Sequence, residues 1–221
     1  MKRYICTLVV LISLSCKKAE SEPVGLTFYF ENTQPLNDTE LTTIPSKFRG
    51  LFMNSDSIFI NIRENIILKE YDYKFRIHKS ELDSLNENFV IKGNKYISKI
   101  NRDLFDVRYL KDSIEFSNKK IDTFFLFSKT QKAKRFDGKL ILNYKDSVFW
   151  TIKDLRVEKN KLKIQYIYSE DDLTRIDSIT KLKSKMIDST SFVIKSSRNE
   201  FKRILNLKNL GEIREYEKIK K

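Results

Sequence analysis

Cysteine, histidine, proline and glycine are all scarce in this chain of 221 residues, and each scarcity removes a class of protein. The two cysteines are Cys6 and Cys16, and none follows. A disulfide-stapled scaffold is therefore excluded, as is a zinc site built on Cys-x-x-Cys pairs. His78 is the only histidine and no His-Glu-x-x-His motif occurs, so a zinc centre of the usual kind lacks its ligands. A histidine-based triad would have to use His78, beside Arg76 on the outward side of an alternating stretch. The five glycines form neither a Gly-x-Gly-x-x-Gly fingerprint nor a Walker-type loop, so nucleotide phosphates find no cradle. Pro23, Pro35 and Pro45 all lie near the N-terminus, and no Pro- or Gly-rich linker divides the body.

Long apolar runs are lacking at the N-terminus too. Ile5 to Leu14, interrupted only by Cys6, Thr7 and Ser13, is ten residues, whereas a spanning helix needs about 20. Preceded by Met1-Lys2-Arg3, it fits the h-region of a secretory signal, which runs about 7–15 residues. Ser13-Leu14-Ser15-Cys16 resembles a bacterial lipobox, where the cysteine receives a diacylglyceryl group before the signal is removed. Ser15 matches the small residue of that pattern, and Ser13 stands where the pattern favours Leu. The resemblance implies a signal peptide over 1–15, lipidation at Cys16 and an anchored tether and lead-in over 16–45. It also implies two or more acyl chains, enough for stable attachment where one chain is marginal. Lys17 in place of Asp after the cysteine implies onward transport to the outer membrane.

Negative charge is short in one half only. Residues 16–128 carry 17 Lys/Arg against 17 Asp/Glu, whereas residues 129–221 carry 24 against 13. A basic half of this kind suits an anionic envelope surface or an acidic protein partner. The export signal puts these charges outside the cytoplasm, which argues against nucleic acid.

What the sequence has in abundance is alternation with period two, the mark of half-buried strands. Ile58, Ile60 and Ile62 share one face; Tyr73, Phe75 and Ile77 face in while Lys74, Arg76 and His78 face out. "LILNY" and "VFWTI" predict a hairpin turning at Lys145-Asp146, and "LRVEKNKLKIQYIY" one turning at Lys159-Asn160. Further hairpins are expected at Gly93-Asn94 and at Asn118-Lys119. Helix starts are expected at Ser80-Glu81, at Ser169 to Asp172, and at Ser197 to Glu200, where a capping box is followed by Phe201, Ile204 and Leu205, with Gly211 as the stop. The last residues predict a strand.

The fold class expected is mainly β: antiparallel meanders with a few short helices. Residues 47–62 align with 135–152, pairing Gly50 with Gly138 and Asp56-Ser57 with Asp146-Ser147, while Ser80-Glu81 pairs with Ser169-Glu170. This suggests two similar β units, 46–128 and a basic 129–221, or two halves of one barrel or sandwich.

"FENTQPLNDTELTTIPSKFRGLF" (30–52), "DSIFINI", "YKFRIHKSELDS" and "QKAKRFDGKLILN" together resemble uncharacterised lipoproteins of Bacteroidota of the flavobacterial type. The resemblance covers most of the chain after the signal and implies an envelope lipoprotein without implying any activity.

Chemistry is sparse. Glu170-Asp171-Asp172 is the densest acidic group, but consecutive helix positions spread over different faces, so capping and the helix dipole account for it. Asp56, Asp112, Asp122 and Asp146 precede Ser or Thr and suit turn capping. No catalytic residue, cofactor or metal is assigned. Tyr144, Phe149 and Trp150 are the candidate lining of a ligand cavity. The expected role is a non-enzymatic, lipid-anchored binding or scaffolding module, with a small-ligand or lipid carrier as the alternative.

Overall fold

The computed structural model describes residues 22–81, 87–93 and 95–219. Residues 1–15 and Cys16 lie outside the described residues. The strands of the first part are β1 (Thr27–Phe30), β2 (Glu40–Leu41), β3 (Gly50–Met53), β4 (Phe59–Ile62), β5 (Ile66–His78), β6 (Phe89–Lys92), β7 (Lys95–Ser98), β8 (Leu104–Tyr109) and β9 (Ser113–Leu126). Then come β10 (Gln131–Phe136), β11 (Lys139–Asp146), β12 (Phe149–Glu158), β13 (Lys161–Tyr166), α1 (Glu170–Ile179), β14 (Lys185–Asp188), β15 (Ser191–Ile194), α2 (Arg198–Leu205) and β16 (Glu212–Lys218). The fold is mainly antiparallel β, as the alternation requires, and β1 with β15 is a parallel pair.

Two compact units form. The smaller comprises residues 72–119, and the larger joins residues 20–71 to 120–221. This division departs from the expected boundary at 128/129, because residues 46–71 share a core with residues 120–219. In that core Phe52, Ile60 and Ile62 pack with Phe125, Leu140, Leu155 and Ile164. The aligned stretches 47–62 and 135–152 both supply hairpins to this one unit. Ser57 and Ser147 take the left-handed conformation at corresponding turns, with φ of 61° and 55°.

In the smaller unit, one face of β5 to β9 gathers Tyr73, Phe75, Phe89, Tyr96, Phe105, Ile114 and Phe116. Phe75 stacks on Phe116 with ring centroids 4.8 Å apart. The alternation delivers these rings to one side, and Lys74, Arg76 and His78 are exposed on the other. The turn expected at Asn118-Lys119 is not made. β9 runs through it as one strand of 14 residues, because the polar run Ser117 to Lys120 contains no Gly or Pro to force a turn. The turn expected at Lys145-Asp146 also shifts, with Asp146 pairing Phe149 across Ser147-Val148.

In the larger unit, β10, β11 and β12 bury both faces. Leu140 and Leu142 join the first core, while Ile141 on the opposite face joins a second with Phe28, Phe30, Ile194, Phe201 and Ile204. Both helices serve this second core through Ile176, Phe201, Ile204 and Leu205. Their starts are capping boxes. Ser169 Oγ accepts from the backbone N–H of Asp172, whose carboxylate accepts from the Ser169 N–H, and Ser197 and Glu200 repeat the exchange. α2 ends at Leu205 with Asn206 as its C-cap, so Gly211 is not the helix stop but the residue before β16.

Candidate functional site

A depression of the larger unit lies where the segment 205–211, between α2 and β16, meets β12 and β13. It is a cleft of about 480 Å³ whose floor holds Arg156 and Gln165. Its rim is the backbone and side chains of 205–211, including Asn206, Lys208 and Asn209. Asn206 and Leu207 also border a shallower groove of about 540 Å³ with Ile179, Asn199, Lys202 and Arg203. The lining of the two depressions thus carries four cations, Arg156, Lys202, Arg203 and Lys208, and no carboxylate.

The rim is fixed by side chains from three other elements. Lys139 donates Nζ–H to the Leu205 carbonyl at 2.7 Å, Arg175 to that of Lys208 at 3.1 Å and Gln165 to that of Leu210 at 2.5 Å. The Gly211 N–H donates to Asp172 Oδ1 at 2.6 Å. Gly211 has φ +62°, and a Cβ there would stand 2.0 Å from the Tyr166 carbonyl oxygen, so only glycine fits.

Below the cleft is a buried charge group. Asp154 is 3% exposed and Lys139 is 9% exposed, with Nζ 3.1 Å from Oδ2. Arg156 Nη2 lies 3.9 Å from the same carboxylate and donates to Gln165 Oε1 at 3.3 Å. Burial pushes the Asp154 carboxyl up from its usual range, and the Lys139 ammonium pulls it back. Arg156 Nε is buried without a hydrogen-bond partner.

The residues singled out in the sequence are placed apart from this cleft. Tyr144 points into the first core beside Leu140 and Leu142, its ring edge-on to Phe125 and its hydroxyl donating to the Phe124 carbonyl at 2.9 Å. Burial raises its phenol well above the ordinary value. Trp150 pairs with Lys145 and, by alternation, shares a face with Ile152 of the second core. Phe149 packs on the ring of Tyr29, whose hydroxyl donates to Asp146. Tyr144 and Trp150 therefore do not converge on one cavity. Near Tyr144 the ammonium of Lys153 sits 4.7 Å from the Phe124 ring and 5.1 Å from the Tyr144 ring, and pairs with Glu22. His78 is exposed and bonds Ser80 at 2.7 Å. Asp172 caps α1, Asp122 lies within β9, and Asp146 is the last residue of β11, flanking the Ser147-Val148 turn.

A second feature adjoins the helices. Residues 181–187, which run into and through most of edge strand β14, hold Lys181, Lys183 and Lys185 among Leu182, Met186 and Ile187. Leu182, Met186 and Ile187 are 55, 60 and 48% exposed. Arg203 and Lys208 have no acidic partner among the described residues.

The sequence reading missed Arg156, Gln165 and the 205–211 rim. The available signal was on β12, where Asp154 and Arg156 interrupt the face that Trp150 and Ile152 begin. Comparison with family models, with curated proteins and with solved structures finds no match, so the site is argued from its own geometry. Fold and site together define a mainly antiparallel β protein with a cationic depression beside two short helices.

Proposed function

We propose that the chain is a non-enzymatic binding module of the cell envelope, anchored in the outer membrane through lipidated Cys16, whose basic half engages an anionic surface. The observation that carries the second part of this reading is the 181–187 segment. Three lysines are interleaved there with three exposed apolar side chains, and Arg203 and Lys208 of the same basic half have no acidic partner among the described residues. Cations with adjacent exposed apolar groups suit an anionic lipid interface, where each Lys or Arg near the surface contributes about 1 kcal/mol. The envelope address rests on the N-terminal sequence, Met1 to Lys18.

The test is co-sedimentation of the full-length Cys16→Ala chain, freed of acyl groups, with vesicles. Vesicles containing phosphatidylglycerol are expected to retain it at low salt and release it at about 0.5 M salt, where screening is strong. Phosphatidylcholine vesicles are expected not to retain it. Changing Lys181, Lys183 and Lys185 together to Gln should weaken retention. Equal retention by both vesicle types, or retention unaffected by salt, contradicts the reading.

A further inference from the structure

We infer that the cleft between β12–β13 and the 205–211 rim is a binding site for a small anionic saccharide, with the Arg156 guanidinium facing the anionic group. The cleft volume of about 480 Å³ falls in the range of small-molecule sites, about 300–1,000 Å³. Its polar lining has a specific composition. Arg156 and Lys208 supply cationic donors, while the exposed Asn206 and Asn209 supply side-chain amides able to donate and accept and Gln165 positions Arg156 and the Leu210 carbonyl. No carboxylate lines it. Amides of both polarities match a hydroxylated ring, and the two cations match one negative substituent, either the carboxylate of a uronate or the phosphate of a sugar phosphate.

The rim is preorganised. Lys139, Arg175, Gln165 and Asp172 each hold a backbone group of 205–211, so Asn206, Lys208 and Asn209 project from a segment fixed before any ligand arrives. A fixed rim lowers the ordering cost of binding. Arg156 is held in place by the protein: Nη2 donates to Gln165 Oε1 and lies 3.9 Å from Asp154 Oδ2, while the side chain keeps 24% exposure at the cleft. A positioned, partly exposed guanidinium that lines the cleft is suited to an oxyanion.

This inference is independent of membrane engagement by residues 181–187, because none of those residues lines the cleft. The test follows the side-chain amide signals of Gln165, Asn206 and Asn209 by NMR in the full Cys16→Ala chain. It titrates glucuronate, glucose 6-phosphate, inorganic phosphate and neutral glucose. The expected result is saturable shifts with glucuronate or glucose 6-phosphate, and whichever responds identifies the anion. Glucose and inorganic phosphate alone should bind at least about tenfold more weakly, each lacking half of the recognised chemistry. Arg156→Gln should remove the response. Because Arg156 borders a buried carboxylate, Lys208→Glu at the exposed rim is the second variant and should weaken binding by about tenfold, while Lys185→Gln leaves it unchanged. The inference is overturned by no saturable shift with either anionic sugar, by equal binding of glucose, by inorganic phosphate binding as well as the sugars, or by binding that survives both cleft variants.

Discussion

Lys139 and Asp154 form a buried ion pair, Nζ to Oδ2 at 3.1 Å, directly beneath the rim that Lys139 also holds through the Leu205 carbonyl. One ammonium thus serves the core and the cleft together. A buried pair is costly to break and cheap to replace, because removal of one partner strands the other charge out of water. Asp154→Ala is therefore expected to destabilise the fold by about 3–5 kcal/mol in urea denaturation. A double Lys139→Met, Asp154→Leu exchange is expected to be near neutral for stability while loosening the 205–211 rim. A double variant as unstable as the single one contradicts this account of the pair.

Glu200 accepts from the Ser197 hydroxyl, the Lys181 N–H and the Ser197 N–H, and these bonds hold its carboxyl down to about 2. Its folded value lies below its unfolded one, so the ionised form stabilises the fold at neutral pH. That contribution is present above the usual carboxylate range near 4.5 and is lost as pH falls towards about 2. Glu200→Gln should be less stable than wild type at pH 7, with the gap closing between about pH 4.5 and 2 in parallel denaturation curves. Ser197→Ala should cost about 1 kcal/mol as a lost N-cap. A Glu200→Gln gap that is unchanged at pH 2 would show that the carboxylate charge plays no part.

Two glycines separate backbone strain from steric clash. Gly138 has φ +80° with nothing within 4 Å of an added Cβ, whereas at Gly211 the Cβ would meet Tyr166 O at 2.0 Å. Gly138→Ala should cost about 1 kcal/mol, the ordinary penalty of a left-handed alanine. Gly211→Ala should cost clearly more and shift the amide signals of Gln165 and Asn209, because the rim must move off β13. Equal melting temperatures for the two variants would contradict the close approach.

In the smaller unit Phe116 is fully buried and meets Phe75, Phe89, Tyr96 and Phe105. Phe116→Ala should cost about 3–5 kcal/mol. Hydrogen exchange should rise first in residues 72–119. Exchange rising equally in the Leu140 and Leu142 region would show that the two units unfold as one.

Much of the β architecture was legible because its signal is local. Alternation alone puts Tyr73, Phe75 and Ile77 on the core side and Ile58, Ile60 and Ile62 on one shared face, without reference to any long-range contact. The capping boxes at Ser169 and Ser197 were legible for the same reason: four consecutive residues contain the whole device. The boundary of the units was not legible. It depends on β9 running on from one unit into the other, and the four polar residues Ser117 to Lys120 in the middle of that strand read like a hairpin turn. The cleft was the least accessible. Arg156, Gln165 and Asn209 become neighbours only when β12, β13 and the segment after α2 are brought together, and nothing in their spacing announces it.

The proposed membrane role of the basic half presumes an envelope address, so the most direct measurement is the intact mass and membrane partition of the mature N-terminus in wild type and Cys16→Ala. A membrane-bound chain that begins at an acylated Cys16, with the variant unprocessed or released, is the result predicted. A soluble wild-type chain with a free or absent Cys16 thiol would contradict it.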